Sequence, residues 1–277
     1  MKKKIKYLYK LIPFKKEIFC ILKLIYKPSP EIYKHLYFWN VFKVKVKDKT
    51  FKMKHYGYQI ENETFWAGVE NGWEKTSMSL WMKLCENAHT IIDVGANTGL
   101  FSLVAKTIHP EAHVYAFEPF HKTHEKLVLN NSLNHFNIHC IEYALSNYNG
   151  TAKIYPEQLD HVISVTVNKN LSAPFVKTFE QEIKTLTLST WIEQNKIAKI
   201  DLMKIDVETH EVEVLEGMGK YLDSMRPVFL IEVLTDEVGA GIQNLLEGKN
   251  YLYYNINENG EINRADKIHT SDSYNFL

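Results

Sequence analysis

The sequence predicts an α/β protein whose mostly parallel sheet is covered by helices on both faces. Three observations predict it. From residue 90 onward, short apolar runs alternate with stretches of helical length, the pattern of a parallel sheet with crossover helices. Thr90–Gly99 runs from β-branched and apolar residues into Asp93 and then small residues at Gly95, Ala96 and Gly99, which reads as a buried strand entering a tight turn before a helix. Acids stand at or beside the ends of five predicted strands: Asp93, Glu118, Glu142, Asp206 with Glu208, and Glu232. In open α/β sheets those ends converge on a ligand crevice.

The predicted strands are Thr90–Val94, His113–Phe117, Ile138–Glu142, Leu202–Val207 and Val228–Val233. The predicted helices are Leu100–Ile108, His121–Asn131, His210–Leu222 and Asp236–Glu247. Residues 150–188 hold short β-rich pieces (Thr151–Tyr155, Ser164–Val167, Lys184–Leu188) suited to an antiparallel insertion. Tyr251–Ile256, a turn at Asn257–Gly260 and Glu261–Asn263 form a closing hairpin.

Ahead of this domain, Asn40–Lys54 alternates as a hairpin with one lysine-bearing face, and Pro13, Pro28 and Pro30 divide the preceding stretch into short helices. Residues 55–75 are irregular and aromatic, and a helix starts at Thr76 as N-cap. The chain divides into a basic extension over 1–75 and a main domain over 76–277.

The 277 residues are 45% hydrophobic and 24% charged, enough for a sizeable core. Net charge is zero but uneven: residues 1–54 hold 16 lysines against Glu17, Glu31 and Asp48, a balance of +13, and the remainder carries −13. Such a basic end suits an anionic surface, and equally a lysine-rich solvated face. Leu8, Leu11, Ile12, Phe19, Leu22 and Tyr26 suit either an amphipathic segment on a membrane or a helical arm packed on the main domain. The apolar run Ile18–Leu22 ends at Lys23, far short of the roughly 20 residues of a spanning helix. Cys20, Cys85 and Cys140 have neither paired nor metal-type spacing, as expected of reduced thiols in the cytoplasm. Nucleic acid is disfavoured, because no RNA-binding motif accompanies the lysines.

Glu118 lies 19 residues after Gly99, placed to accept hydrogen bonds from the ribose hydroxyls of an adenosine cofactor. A nicotinamide dinucleotide wants G-x-G-x-x-G; here an acid leads the loop, Asp93-x-Gly95-x-Asn97-x-Gly99. A leading carboxylate repels a pyrophosphate and suits an amino group. S-adenosylmethionine is therefore favoured over NAD, and an NAD-dependent oxidoreductase is the rival from another class.

Ile92–Ser102, Ala116-Phe117-Glu118-Pro119, Ala144-Leu145-Ser146 with Gly150, and Leu202-Met203-Lys204-Ile205-Asp206-Val207-Glu208 with Glu211 and Gly217 resemble the FkbM family of S-adenosylmethionine-dependent methyltransferases. The resemblance covers about residues 88–235. It implies a class I methyltransferase fold (Rossmann-like) with a seven-stranded sheet, and O-methylation of a sugar or polyketide hydroxyl. By that similarity Asp93, Gly95, Asn97 and Gly99 hold the methionine part, Glu118 with Pro119 the ribose, and Glu142–Ser146, including Ala144, lie near adenine. The chain departs from the family at Thr209-His210, where a glycine is usual and whose replacement predicts a different loop shape. It departs again at Leu188-Ser189, where Leu-Asp is usual, and in the basic first 75 residues.

Methyl transfer to a hydroxyl needs positioning and a proton acceptor. The candidate catalytic residues are Asp206, Glu208 and His210. Asp206, Glu208 and Glu232 are also candidate ligands for a divalent cation such as Mg²⁺, given their oxygen donors. The expected acceptor is a sugar hydroxyl of a bacterial surface glycan or its glycolipid precursor, with a small secondary metabolite as the alternative. The expected location is the cytoplasm, with peripheral contact at the inner face of the membrane through the basic end.

Overall fold

The computed structural model describes residues 9, 12–72, 74–156, 165–166, 180–271 and 274–277. Of the residues singled out above, Leu8, Leu11, Ser164 and Val167 lie outside them.

The first elements are α1 (Lys15–Ile25) and α2 (Pro30–Tyr33), with Pro28 in the link and Pro30 at the first position of α2. Proline is favoured there because the missing N–H would have had no helical partner. The hairpin β1 (Val41–Val46) and β2 (Lys49–Lys54) turns at Lys47 (φ 52°) and buries Phe42, Val44, Val46, Phe51 and Met53 on one face. Its lysines occupy the other, as the alternation requires. Then come α3 (Gln59–Trp66) and α4 (Lys75–Cys85). Thr76 does not cap α4: Glu74 precedes the helix, and the Thr76 and Ser77 amides donate to the Glu258 carboxylate, 2.6 and 3.2 Å away. An acid at a helix start satisfies amides that lack helical partners.

The main domain alternates as expected: β3 (Thr90–Val94), α5 (Leu100–Ile108), β4 (His113–Phe117), α6 (His121–Leu133) and β5 (His139–Ile141). After β6 (Ala144–Leu145) the insertion supplies β7 (Gly150–Pro156), β8 (Val165–Thr166) and β9 (Gln181–Leu186), and the order β6-β9-β7-β8 makes a small second sheet. Next come α7 (Leu188–Asn195), β10 (Leu202–Ile205), α8 (Glu211–Glu216), α9 (Lys220–Met225), β11 (Val228–Glu232) and α10 (Asp236–Leu246). The chain closes with β12 (Tyr253–Asn257), β13 (Glu261–Ala265) and β14 (Asn275–Phe276). The helix expected over His210–Leu222 is two helices, because Gly219 takes φ 52° between them.

The large sheet has the order β13-β12-β14-β11-β10-β3-β4-β5. From β11 to β5 neighbouring strands are parallel, whereas β14 runs antiparallel between β11 and β12. It holds eight strands rather than seven, because the closing hairpin adds β13 in register with β12. The parallel strands are the most deeply buried, with all four residues of β10 inaccessible. One apolar cluster fills the side of the sheet under α4 and α5, and a second fills the side under α7, α8 and α10. The hairpin face (Phe42, Val44, Phe51, Met53) belongs to the first cluster together with Trp81, Leu103 and Leu127, so the basic extension shares its core with the main domain.

The chain leaves β3 toward β4 on one side while β10 pairs on the other. That reversal is the place where open α/β sheets bind their ligands.

Candidate active site

A cavity of about 290 Å³ opens at the carboxyl ends of β3, β4, β10 and β11. Its floor is the loop after β3. There Gly95 (φ 78°), Asn97 (φ 50°) and Gly99 (φ 94°) bend the chain through left-handed conformations. The amides of this loop face inward. Gly95 and Ala96 donate to the Phe117 carbonyl (3.0 and 2.9 Å), Asn97 to Glu118 Oε2 (3.0 Å), and Gly99 to the Ala96 carbonyl (2.8 Å). These four amides are engaged within the protein. The Gly95, Ala96 and Asn97 amides are thus not left to a pyrophosphate.

Asp93, at the base of the loop, is fully buried; its Oδ2 accepts from Ser102 Oγ (2.6 Å) and its Oδ1 has no protein partner. Burial raises the Asp93 carboxyl above the usual range. Glu118, 6% exposed, also accepts from the Phe120 amide through Oε1 (2.9 Å), so each carboxyl oxygen keeps further acceptor capacity. Burial pushes it up to about 7. Beside them Tyr143, Ala144, Leu145, Ile154 and Ile183 form an apolar wall, and Pro119 lies at its edge.

The opposite wall is acidic. Glu74, Asp206, Glu208 and Glu232 reach it from α4's start, the β10 end and β11, with His210 following. The buried ammonium of Lys204 lies among them, 2.7 Å from Asp206 Oδ2 and 4.6 Å from the Phe101 ring centroid. Burial alone would lower the Lys204 ammonium, but Asp206, Asp93 and Glu74 together hold it above its ordinary value. Desolvation, then the charges of Asp206 and Glu208, push Glu232 up to about 10, so it carries a proton at neutral pH. Desolvation also raises Glu74 to about 7.

Among the described residues no three His, Cys, Asp or Glu side chains are grouped to hold a metal ion. Within the set Asp206, Glu208 and Glu232 the Lys204 ammonium already occupies Asp206, competing with any cation for its oxygens. Hard cations want ionised oxygens turned toward one point.

The turn 206–210 holds an unusual shape. Glu208 (φ 56°) and Thr209 (φ 76°) are both left-handed, so Thr209 keeps the conformation of a glycine rather than the altered one expected. Glu211 stabilises it, its Oε1 accepting from the amides of Val207 (3.1 Å) and Thr209 (3.2 Å). His210 lines the cavity, but its Nε2 contacts Ser146 Oγ at 3.0 Å, tying this turn to the β6 loop. Burial lowers the His210 imidazole below its ordinary value.

Two expected cofactor residues lie off the cavity. Gly99 starts α5, where a β-carbon would stand 2.5 Å from Leu127 Cδ1, so its role is packing. The Glu142 carboxylate turns outward to His121 Nδ1 (3.0 Å) and His124 (3.6 Å), and its neighbour Tyr143 takes the place on the wall. Residues beyond the sequence reading also line the site: Lys204, Glu74, and the lip formed by Tyr58, Gln59, Ile60 and Glu63. Lys204 carried a signal, since a lysine inside an otherwise apolar buried strand demands a partner. Glu74 carried none.

A mostly parallel sheet closed on one side by antiparallel strands, with a ribose-ready acid after its second strand, is that of a class I S-adenosylmethionine-dependent methyltransferase. The profile of the Methyltransferase FkbM domain matches residues 93–253, more than half the chain. Hexuronic acid methyltransferase AglP of Haloferax volcanii is 28% identical, over 65% of this chain and 68% of that protein. Methyltransferase sdnD of Sordaria araneosa is 29% identical, over 58% of this chain and 73% of that protein. A crystal structure of methyltransferase FkbM from Methylobacillus flagellatus KT aligns at TM-score 0.42 and 14% identity, over 68% of this chain and 43% of that chain. This chain belongs to the FkbM methyltransferase family. Its methyl donor is S-adenosylmethionine.

Proposed function

We propose that the protein O-methylates a neutral sugar hydroxyl of a glycan or its lipid-linked precursor. The observation that carries this reading is the pairing of Asp206 with Lys204 beside a protonated Glu232 on the cavity wall. A carboxylate acceptor would be repelled by the Glu208 carboxylate and would find the Lys204 ammonium already paired with Asp206. A hydroxyl instead finds acceptors for its proton, and vicinal hydroxyls find several.

Bound S-adenosylmethionine supplies an electrophilic methyl group on a sulfonium. Glu118 would accept from ribose hydroxyls, Asp93 Oδ1 from the amino group, and Tyr143, Ala144 and Leu145 would flank the base. Gly95 and Asn97 shape the loop beneath, and Pro119 its edge. Asp206 takes the acceptor's proton as the new O–C bond forms and the C–S bond breaks. Lys204 pairs with Asp206 at 2.7 Å, and Glu232, hydrogen-bonded to Asp206, fixes the carboxylate's orientation. Positioning supplies most of the rate, and the proton acceptor contributes roughly 10²–10⁴-fold. Glu208 borders the acceptor side, and His210 orients the turn through Ser146.

The relative from Haloferax volcanii, a hexuronic acid methyltransferase by name, supports a carbohydrate acceptor. Methyl transfer screened against uronate- and hexose-bearing glycans tests the reading. Asp206→Asn should lower kcat by about 10²-fold or more while S-adenosylhomocysteine binds as before. Transfer only to free small metabolites, or an unchanged kcat in Asp206→Asn, would overturn it.

A further inference from the structure

Among the described residues, fifteen large hydrophobic side chains are exposed, and nine of them fall within residues 12–39. Five form one stripe on α1. Phe14 (76% exposed), Ile18, Ile21 and Ile25 recur at helical spacing, and Leu24 (84%) adjoins them. The opposite face of the same helix is already fixed. Phe19 packs on Trp66 and Phe38, with ring centroids 5.4 and 6.4 Å away, and the Lys23 ammonium donates to the Phe65 carbonyl. The outer stripe therefore contributes nothing to the fold, yet keeps apolar surface in water at a cost of about 25 cal/mol per Å².

We propose that this face docks on the surface of an anionic lipid bilayer. An in-plane amphipathic helix buries its apolar stripe at headgroup depth while basic residues meet the lipid charge. Basic residues flank the stripe in sequence: Lys27 follows α1, and Lys2, Lys3, Lys4, Lys6 and Lys10 precede it. Glu17 is the acid on the exposed side of α1. A second copy is a poorer occupant, because pairing two such segments opposes like charges. No described helix is long and apolar enough to cross a membrane, so the contact is peripheral.

The docked helix is bolted to the lip of the active site. α1 grips α3 through Phe65 and Trp66, and the other end of α3 presents Gln59, Ile60 and Glu63 to the cavity. Tyr33 Oη donates to Glu63 Oε1 at 2.8 Å, joining α2 to the same lip. Docking through α1 thus holds the cavity mouth near the lipid surface, where a lipid-linked acceptor would be presented.

Co-sedimentation of the full chain with phosphatidylglycerol/phosphatidylcholine vesicles at low salt tests this. The wild type should partition at least tenfold more strongly onto these than onto pure phosphatidylcholine. Ile18→Ser/Ile21→Ser, and independently Leu24→Asp, should weaken partitioning by at least tenfold with thermal unfolding unchanged. Equal binding by both variants, or no binding of the wild type to the anionic vesicles, would overturn the proposal. So would a dimer in light scattering that these substitutions dissolve. Calorimetric titration with S-adenosylhomocysteine reads the methyltransferase assignment separately, since none of these residues lines the cavity.

Discussion

Gly95 stands so close to Asp206 that a β-carbon there would lie 1.9 Å from the Asp206 carbonyl oxygen. The floor of the cofactor cavity and the root of the proposed catalytic carboxylate are thus one packed unit, β3 and β10 joined where the sheet reverses. The glycine answers the neighbouring strand as much as the ligand. Gly95→Ala must push β10's end away and also hold alanine at φ 78°. We expect a stability loss of about 3 kcal/mol or more, with at least a tenfold loss of S-adenosylhomocysteine affinity by calorimetry. A variant that unfolds and binds like the wild type would contradict this packing.

Thr209 poses the opposite case, a β-branched residue held at φ 76°. Left-handed non-glycine residues at functional sites store about 1–3 kcal/mol, and glycine's added unfolded-chain entropy offsets about 0.4–1 kcal/mol. Thr209→Gly should therefore raise stability by about 1 kcal/mol, or roughly 2–4 °C in Tm. A lowered Tm would show that the turn gains from the threonine side chain more than it loses in strain.

Lys204 lowers the pKa of Glu74, Asp93 and Glu232 and forms the ion pair with Asp206. In Lys204→Met these acids lose their counter-charge, so the acidic limb of the kcat/KM profile should move to higher pH. Removing one partner of a buried pair costs about 3–5 kcal/mol, and a matching loss of stability should accompany the shift. A pH profile that keeps its limb while kcat falls would assign Lys204 a purely structural role.

Glu61, fully buried, accepts from the amides of Tyr56 (3.2 Å) and Tyr58 (3.1 Å) under the lip, and burial pushes it up to about 7. Below about pH 4.5 it is protonated folded and unfolded alike. Between 4.5 and 7 only the folded state holds the proton, so its contribution to stability falls as pH rises, and above 7 the change is complete. Glutamine mimics the protonated acid. Thermal unfolding of wild type and Glu61→Gln across pH 5–8 should show the wild type losing ground to the variant as pH rises, by on the order of 2–3 kcal/mol. A constant difference would place Glu61 near its ordinary pKa.

The parallel sheet was legible because its strands are buried on both faces and read as unbroken apolar runs ending in acids. Asp93, Glu118 and Asp206 followed from those ends, and all three line the cavity. Glu142 misled for a local reason: two histidines one turn apart on α6 draw its carboxylate outward, and that pairing is long-range in sequence. Gly99 is needed for its conformation and for Leu127, a packing constraint that resembles a ligand constraint in the sequence. Glu74 and the Tyr58–Glu63 lip were hidden because tertiary packing alone brings that irregular aromatic stretch to the sheet's end. Lys204, two residues before Asp206, pairs with a carboxylate that the sequence offered as a metal ligand, a partnership the spacing alone did not announce.

The central claim is that the acceptor is a hydroxyl, and the chemistry of the transferred methyl tests it most directly. After transfer of an isotopically labelled methyl group to a uronate-bearing glycan, mild alkali distinguishes ether from ester. The account predicts a label that survives as an alkali-stable methyl ether and is lost from the product mixture of Asp206→Asn. Release of the label as methanol would mean that a carboxylate is the acceptor, and would contradict the reading of the acidic wall.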